Sequence, residues 1–150
     1  LLIGPTGTGK SHIAQALAHE AIKRGYRGLY ESTHALLGHL HGSRADGSYR
    51  KTLRRLTQLD ILVLDDFGLV TLAQQAIEDL YEIIRERYER RTTIITSNRA
   101  MEEWGEIFGD ALLASAALDR LTHHAHVIEI KGASYRQKQR ARSKKDKQAS

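Results

Sequence analysis

The residues best suited to chemistry lie near the start of the chain, where residues 4–11 have the sequence GPTGTGKS. This octapeptide fits the pattern G-x-x-x-x-G-K-[ST], in which glycines let backbone N–H groups turn inward around a triphosphate. Lys10 can reach the β- and γ-phosphates, and the Ser11 hydroxyl can ligate Mg²⁺. The alternative is a glycine-rich turn that binds nothing, but an apolar run before the loop and a helical pattern after it favour nucleotide binding. The predicted phosphate-binding residues are Gly4, Pro5, Thr6, Gly7, Thr8, Gly9, Lys10 and Ser11.

Polar residues also follow two later apolar segments. Asp65 and Asp66 come directly after the run 61–64, and Asn98 follows the β-branched segment 92–96. We assign Asp65 to Mg²⁺, opposite Ser11, and Asp66 to the attacking water of a hydrolytic reaction. Asn98 can hydrogen-bond the γ-phosphate or that water, although asparagine is also an ordinary turn residue at the end of a strand.

Strand and helix patterns alternate around these residues. The predicted strands are 1–3, 27–32, 61–64, 92–96 and 125–130. Helical spacing is found in 34–41, 49–56, 77–88 and 112–121. It also follows the glycine-rich loop, where one face would carry Ile13, Leu17, Ala18, Ala21 and Ile22. This alternation predicts an α/β fold, with a parallel sheet of about five strands and helices on both faces. The nucleotide would then lie at the carboxyl ends of the strands.

Length and composition limit the possible classes of protein. The chain has 150 residues, 41% of them hydrophobic, which suits one domain over 1–135. Residues 136–150 carry seven Lys or Arg and one Asp without apolar periodicity, so we expect a disordered basic tail. The absence of cysteine excludes disulfides and thiolate metal sites, and no apolar run is long enough for a membrane span, so we expect a cytoplasmic protein. The chain opens with Leu1 inside a predicted strand, so we expect that its N-terminal part has been truncated.

Several longer segments resemble one family of ATPases. The glycine-rich loop, the acidic pair and the asparagine together look like the core of AAA+ P-loop ATPases. Residues 59–68 (LDILVLDDFG), 94–99 (IITSNR), 118–121 (LDRL) and 134–136 (SYR) resemble the IstB/DnaC-type branch of that group. The segment 123–130 (HHAHVIEI) favours IstB-like transposition helper ATPases over DnaC-type helicase loaders. The resemblance extends to about Gln137.

The resemblance implies ATP and Mg²⁺ as cofactors and assigns further residues. Asp66 stands where most AAA+ proteins carry Glu, which implies slow or partner-dependent hydrolysis. Arg120 would be an arginine finger that reaches the nucleotide of a neighbouring subunit in a homo-oligomer, so hydrolysis would depend on assembly. The alternative for Arg120 is a helix-surface arginine paired with Asp119 or with solvent. Arg136 matches the sensor-two position, and the short sequence after the last strand implies that there is no C-terminal helical lid.

The resemblance also implies partners, namely double-stranded DNA and the transposase of the same insertion sequence. In the initiator group, a helical element after the second strand lines a DNA channel, and residues 34–55 occupy that place here. Its basic residues could neutralise phosphates, or they could form a solvated helix face. The candidates are Arg44, Arg50, Lys51, Arg54 and Arg55. Two other functions stay open at this stage: a DnaC-type replicative helicase loader and a small-metabolite kinase.

One histidine cluster and one aromatic pair could suggest a binding site, but neither is assigned a ligand. His123, His124 and His126 have no carboxylate or cysteine at ligand spacing along the chain, so the sequence argues against a metal site. Trp104 and Phe108 are expected to pack against each other and their surroundings.

Overall fold

Five parallel strands form one sheet in a computed structural model of the chain, which describes residues 1–135. The strands lie in the order β2-β3-β4-β1-β5. Their bounds are β1 Leu2–Ile3, β2 Gly28–Ser32, β3 Ile61–Asp65, β4 Thr92–Ser97 and β5 Ile128–Glu129. The parallel sheet and the number of strands confirm the predicted α/β class. The expected basic tail, 136–150, lies outside the described residues.

Helices cover both faces of this sheet, as the sequence predicts. They are α1 Lys10–Lys23, α2 Thr33–Gly42, α3 Tyr49–Gln58, α4 Gln74–Arg87, α5 Gly105–Phe108 and α6 Ala111–Thr122, with a 3₁₀ turn at Met101–Glu103. Residues of α1 pack in one hydrophobic cluster, and buried residues of α2 to α6 pack in a second, larger one. The sheet therefore separates α1 from the other helices.

The inner strand β3 connects the two clusters because its side chains alternate between the faces of the sheet. Leu62 and Leu64 belong to the larger cluster, whereas Val63 packs under α1, and all three are fully buried. A strand covered on both faces has to be apolar throughout its length. Asp65 is the first polar residue of this strand, so β3 places a carboxylate at the edge where its apolar part ends.

The predicted buried face of α1 is wrong in part. Ile13, Leu17 and Ile22 are 40–50% exposed, whereas the side chains that meet the sheet are those of Ala14 and Ala18. Small residues allow the helix to approach the strands closely. Because the alanines face the sheet, Ile13 and Leu17, each one position before an alanine, are rotated by about 100° to the border of the contact.

The last strand is shorter than the predicted segment 125–130, since only Ile128–Glu129 is paired. The physical reason is its neighbour: β5 lies at the edge of the sheet and pairs only with the two residues of β1. The Ile128 N–H donates to the Leu1 carbonyl at 2.8 Å, and the Ile130 N–H donates to the Ile3 carbonyl at 2.7 Å.

The expected packing role of Trp104 and Phe108 is confirmed. Both side chains are fully buried, and the Trp104 ring lies 4.6 Å from that of Phe67, measured between centroids. This contact anchors the segment after β3 against the short helix α5. Among residues 1–135, no helix combines the length and apolar character that crossing a bilayer requires.

Candidate nucleotide-binding site

The glycine-rich loop between β1 and α1 depends on glycine at two positions. Gly4 and Gly7 have φ angles of 151° and 82°, which residues with a side chain rarely adopt. A Cβ atom on Gly4 would overlap the Ile130 carbonyl oxygen, and one on Gly7 would overlap the Ser134 hydroxyl. The loop therefore packs closely against the chain that follows β5.

Lys10 begins α1 and is almost fully buried. Its Nζ donates to the Pro5 carbonyl at 2.9 Å, so the ammonium lies against the loop that would surround a phosphate. Burial lowers the pKa of Lys10, and the negative charges of Asp66 and Asp65 partly oppose this effect. The loop and the acidic pair are thus close enough for their charges to interact.

Asp65 is buried and held by two hydroxyl groups. One carboxylate oxygen accepts a hydrogen bond from the Tyr30 hydroxyl, and the other accepts one from the Thr96 hydroxyl. The Asp65 main-chain carbonyl accepts a third hydrogen bond, from the Thr33 hydroxyl at 2.9 Å. Burial and the bond to Asp65 raise the pKa of Tyr30, so its phenol stays a neutral donor. These contacts fix the orientation of the carboxylate.

The donor set around this carboxylate fits Mg²⁺, which prefers oxygen ligands and retains several waters. The Tyr30 hydroxyl donates to Asp65, and an interaction with Ser11 slightly opposes the rise in the pKa of Tyr30. Ser11 and Asp65, the two residues assigned to the metal, therefore both lie near the same phenol. They are the residues that could hold Mg²⁺ here.

Asp66 differs from Asp65 in both backbone and exposure. Its φ of 52° is left-handed, and its N–H donates to the Thr96 hydroxyl at 3.1 Å. The strand ends one residue earlier, at Asp65, and the Asp66 side chain is exposed next to the buried carboxylate of Asp65. An exposed carboxylate beside a buried one can accept a proton from water.

Asn98 follows β4 and contacts the glycine-rich loop directly. Its side-chain amide donates to the Thr6 hydroxyl at 3.4 Å, although 92 positions separate the two residues. The loop, the acidic pair and the amide are thus brought together at the carboxyl edge of the sheet. Sequence reasoning assigned no role to Tyr30, Thr33 or Thr96. Of these residues, only Thr96 could have been identified from the sequence, because it is the first polar residue after the apolar part of β4.

Arg120 lies elsewhere in the fold. Its guanidinium donates to the Ala116 carbonyl at 2.7 Å and is 5.8 and 5.9 Å from the centroids of the Tyr81 and Tyr88 rings. It lines a cleft with Leu1 and other residues at the amino ends of the strands. The structure does not bring it to the glycine-rich loop of its own chain. The other predicted arginine, Arg136, lies outside the described residues. The residue before it in sequence, Tyr135, donates its backbone N–H to the Gly7 carbonyl at 2.9 Å.

The basic residues between β2 and β3 fall into two groups. Arg44 is paired with the buried Asp79, at 2.5 Å, and lies 3.7 Å from the centre of the Tyr49 ring. Through these two contacts, Arg44 is part of the packing between α3 and α4. The other four candidates are exposed on α3, and three of them line a cleft that also includes Arg90 and Arg91. These four are Arg50, Lys51, Arg54 and Arg55.

The glycine-rich loop, the acidic end of β3 and the asparagine after β4 define an AAA+ P-loop nucleotide-binding domain. Solved structures with this fold include a DnaC helicase loader, with a TM-score of 0.73 and 27% identity over 87% of this chain and 76% of that one. DnaI matches with a TM-score of 0.75 and 25% identity over 87% of this chain and 72% of that one. A replication initiator DnaA, bound to AMPPCP and single-stranded DNA, shares the fold at 24% identity and a TM-score of 0.74, with 89% of this chain and 40% of that one covered.

The family described as "IstB-like ATP binding protein" matches residues 1–143, and the chain belongs to this family. An insertion-sequence ATP-binding protein of Geobacillus stearothermophilus is 40% identical over 136 residues, which are 91% of this chain and 54% of that protein. Another, from Sinorhizobium fredii, is 44% identical over 142 residues, 95% of this chain and 58% of that protein. The chain thus spans about half the length of the curated relatives it matches.

Proposed function

We propose that this chain is the ATP-hydrolysing core of a helper protein for the transposase of its insertion sequence, and that it oligomerises with ATP on double-stranded DNA in the cytoplasm. The observation that carries the proposal is the convergence of Lys10, Asp65 and Asn98 on one phosphate loop. The relatives named as insertion-sequence ATP-binding proteins support the transposition context.

In the proposed reaction, a water molecule attacks the γ-phosphorus of ATP and the bond to the β,γ-bridging oxygen breaks, which gives ADP and phosphate. Lys10 would exchange its bond to Pro5 for bonds to the phosphate oxygens. Bound Mg²⁺ would neutralise part of the phosphate charge. Asp66 would orient the water and accept its proton, while Asn98 would hold the water or the γ-phosphate.

The position of Arg120 predicts that hydrolysis depends on association of subunits. Because the guanidinium is remote from the loop of its own chain, it can act as a finger only on a nucleotide bound by a second copy. We expect ATP turnover per subunit to rise severalfold with protein concentration, more steeply when duplex DNA is present. Turnover should be measured over a wide concentration range at fixed Mg²⁺ and ATP.

Arg120→Ala should remove that concentration dependence, whereas Arg85→Ala, a change at an exposed arginine on α4, should preserve it. A specific activity that stays flat in the unsubstituted protein would argue against a finger acting between subunits. An absence of turnover at every concentration, with or without DNA, would contradict the ATPase assignment itself.

The exposed residues of α3 are proposed to contact DNA phosphates. Each phosphate contact lowers the slope of log affinity against log salt by about 0.9 on duplex DNA. Arg50→Ala combined with Arg54→Ala should therefore make the slope shallower by about 1.8 and weaken binding to all sequences similarly. Affinity should be measured by fluorescence anisotropy from low to moderate salt.

Lys23→Ala combined with Arg24→Ala is the matched control, because it removes two exposed cations at the end of α1. The control should keep the original slope. An equal loss in both double variants would indicate that only net charge matters and would contradict a specific contact surface on α3.

A DnaC-type helicase loader is the second candidate, and the structural similarity to DnaC and DnaI favours it. The two candidates differ in partner rather than in nucleotide chemistry. Pull-down of the purified protein with the transposase of its insertion sequence and, separately, with a replicative helicase would distinguish them. Capture of the helicase alone would replace the transposition assignment.

A further inference from the structure

Three side chains that can ligate a metal meet on the surface, away from the glycine-rich loop. Glu89 lies in the turn between α4 and β4, and His123 and His124 follow α6. The Glu89 Oε1 atom is 3.8 Å from His123 Nδ1 and 3.8 Å from His124 Nε2. All three ligand atoms lie within 4.8 Å of one another. The fold therefore supplies the carboxylate that the local sequence around the histidines lacks.

The backbone at this cluster is unusual. Among the described residues 1–135, three non-glycine residues have positive φ angles: Asp66, Glu89 and His124. Asp66 belongs to the nucleotide site, and the other two belong to this cluster, with φ of 55° and 59°. Residues with side chains seldom adopt this region, which is often associated with functional sites. The two imidazole rings also lie close together, with their centroids 3.8 Å apart.

The donor types and distances suit one metal. Imidazole nitrogen and carboxylate oxygen bind Zn²⁺ at roughly 2.0–2.2 Å, so a tetrahedral site places its ligand atoms about 3.3–3.5 Å apart. The two 3.8 Å separations are only slightly longer, and all three side chains are exposed, so small rotations would close them. We propose that Glu89, His123 and His124 form a Zn²⁺ site, with water or an external group as the fourth ligand.

A neighbouring contact connects this site to Arg120. The Tyr88 hydroxyl is hydrogen-bonded to His123 Nδ1, and the Tyr88 ring centroid lies 5.9 Å from the Arg120 guanidinium. A metal on Nδ1 would displace that hydroxyl, so zinc would also alter the immediate surroundings of Arg120. The metal site itself depends only on its three ligands and not on any role of Arg120 in hydrolysis.

The site is tested by titrating tag-free protein with Zn²⁺ against a chromogenic chelator. The unsubstituted protein should bind one equivalent tightly, and Mg²⁺ in excess should not displace it, because Mg²⁺ prefers oxygen ligands. His123→Ala combined with His124→Ala should lower the Zn²⁺ affinity at least about tenfold, as should Glu89→Gln alone. Co²⁺ should give the visible absorption of a tetrahedral complex in the unsubstituted protein and lose it in both variants.

The matched control is His34→Ala combined with His41→Ala, which removes two exposed histidines from α2. This control should retain the original Zn²⁺ affinity. Circular dichroism without metal should show that all variants are folded, since every altered side chain is exposed. Equal Zn²⁺ affinity in the unsubstituted protein and the His123, His124 double variant would overturn the proposal, as would an equal loss in the control.

Discussion

Lys10→Ala should weaken binding of ATP with Mg²⁺ by about 100-fold, or about 2.7 kcal/mol, because a hydrogen-bonded charge at the phosphates is removed. The Lys10 ammonium is almost fully buried at the loop, with no carboxylate within ion-pair distance in the described residues 1–135. Burial lowers the pKa of Lys10, and the charges of Asp66 and Asp65 oppose this effect only in part. Phosphate oxygens would place further negative charge in direct contact with the ammonium. Isothermal titration calorimetry with a non-hydrolysable ATP analogue measures the effect.

Lys23→Ala serves as the control, since Lys23 ends the same helix but is exposed and paired with Glu20. This variant should bind the analogue as the unsubstituted protein does. Thermal melts without nucleotide should be similar for all three proteins, because within residues 1–135 the Lys10 ammonium donates a hydrogen bond to the Pro5 carbonyl alone. Unchanged affinity in folded Lys10→Ala would show that the glycine-rich loop does not bind the triphosphate.

The convergence of these site residues could be predicted because parallel strands end at a common edge. Asp65 closes β3, Asn98 follows β4, and the glycine-rich loop follows β1, so the strand pattern alone places them together. The contacts that orient Asp65 could not be predicted in the same way. The hydroxyls of Tyr30 and Thr96 reach it from neighbouring strands, and strand order and register are not encoded in local spacing.

Charge and spacing were also poor guides to the partners of individual side chains. Arg44 belonged to a basic cluster in the sequence, but its partner, Asp79, lies on α4, 35 positions along the chain. The histidines at 123 and 124 lacked a nearby carboxylate in sequence, and Glu89 reaches them only because α4 and α6 end at the same side of the sheet. In both cases tertiary packing, rather than local pattern, determines which groups meet.

Arg87 is the largest buried polar residue that sequence patterns did not identify. It is 1% exposed at the end of α4, and burial, followed by the nearby charge of Arg91, lowers its pKa to about 10. It therefore carries a charge at neutral pH. The guanidinium donates to the Leu56 carbonyl at 2.8 Å and the Leu59 carbonyl at 2.7 Å. It also donates to the Thr93 hydroxyl at 3.0 Å and the Thr92 carbonyl at 2.5 Å.

Replacement of Arg87 by Met should lower the free energy of unfolding by about 3–5 kcal/mol, because buried carbonyl groups would lose their donor. Methionine keeps most of the apolar stem, so the effect reports the lost hydrogen bonds rather than a cavity. Arg85→Met, at an exposed position of the same helix, should change the free energy by less than about 1 kcal/mol. Urea denaturation monitored by circular dichroism measures both. A similar small effect in the two variants would show that Arg87 does not hold α4 to the segment before β3.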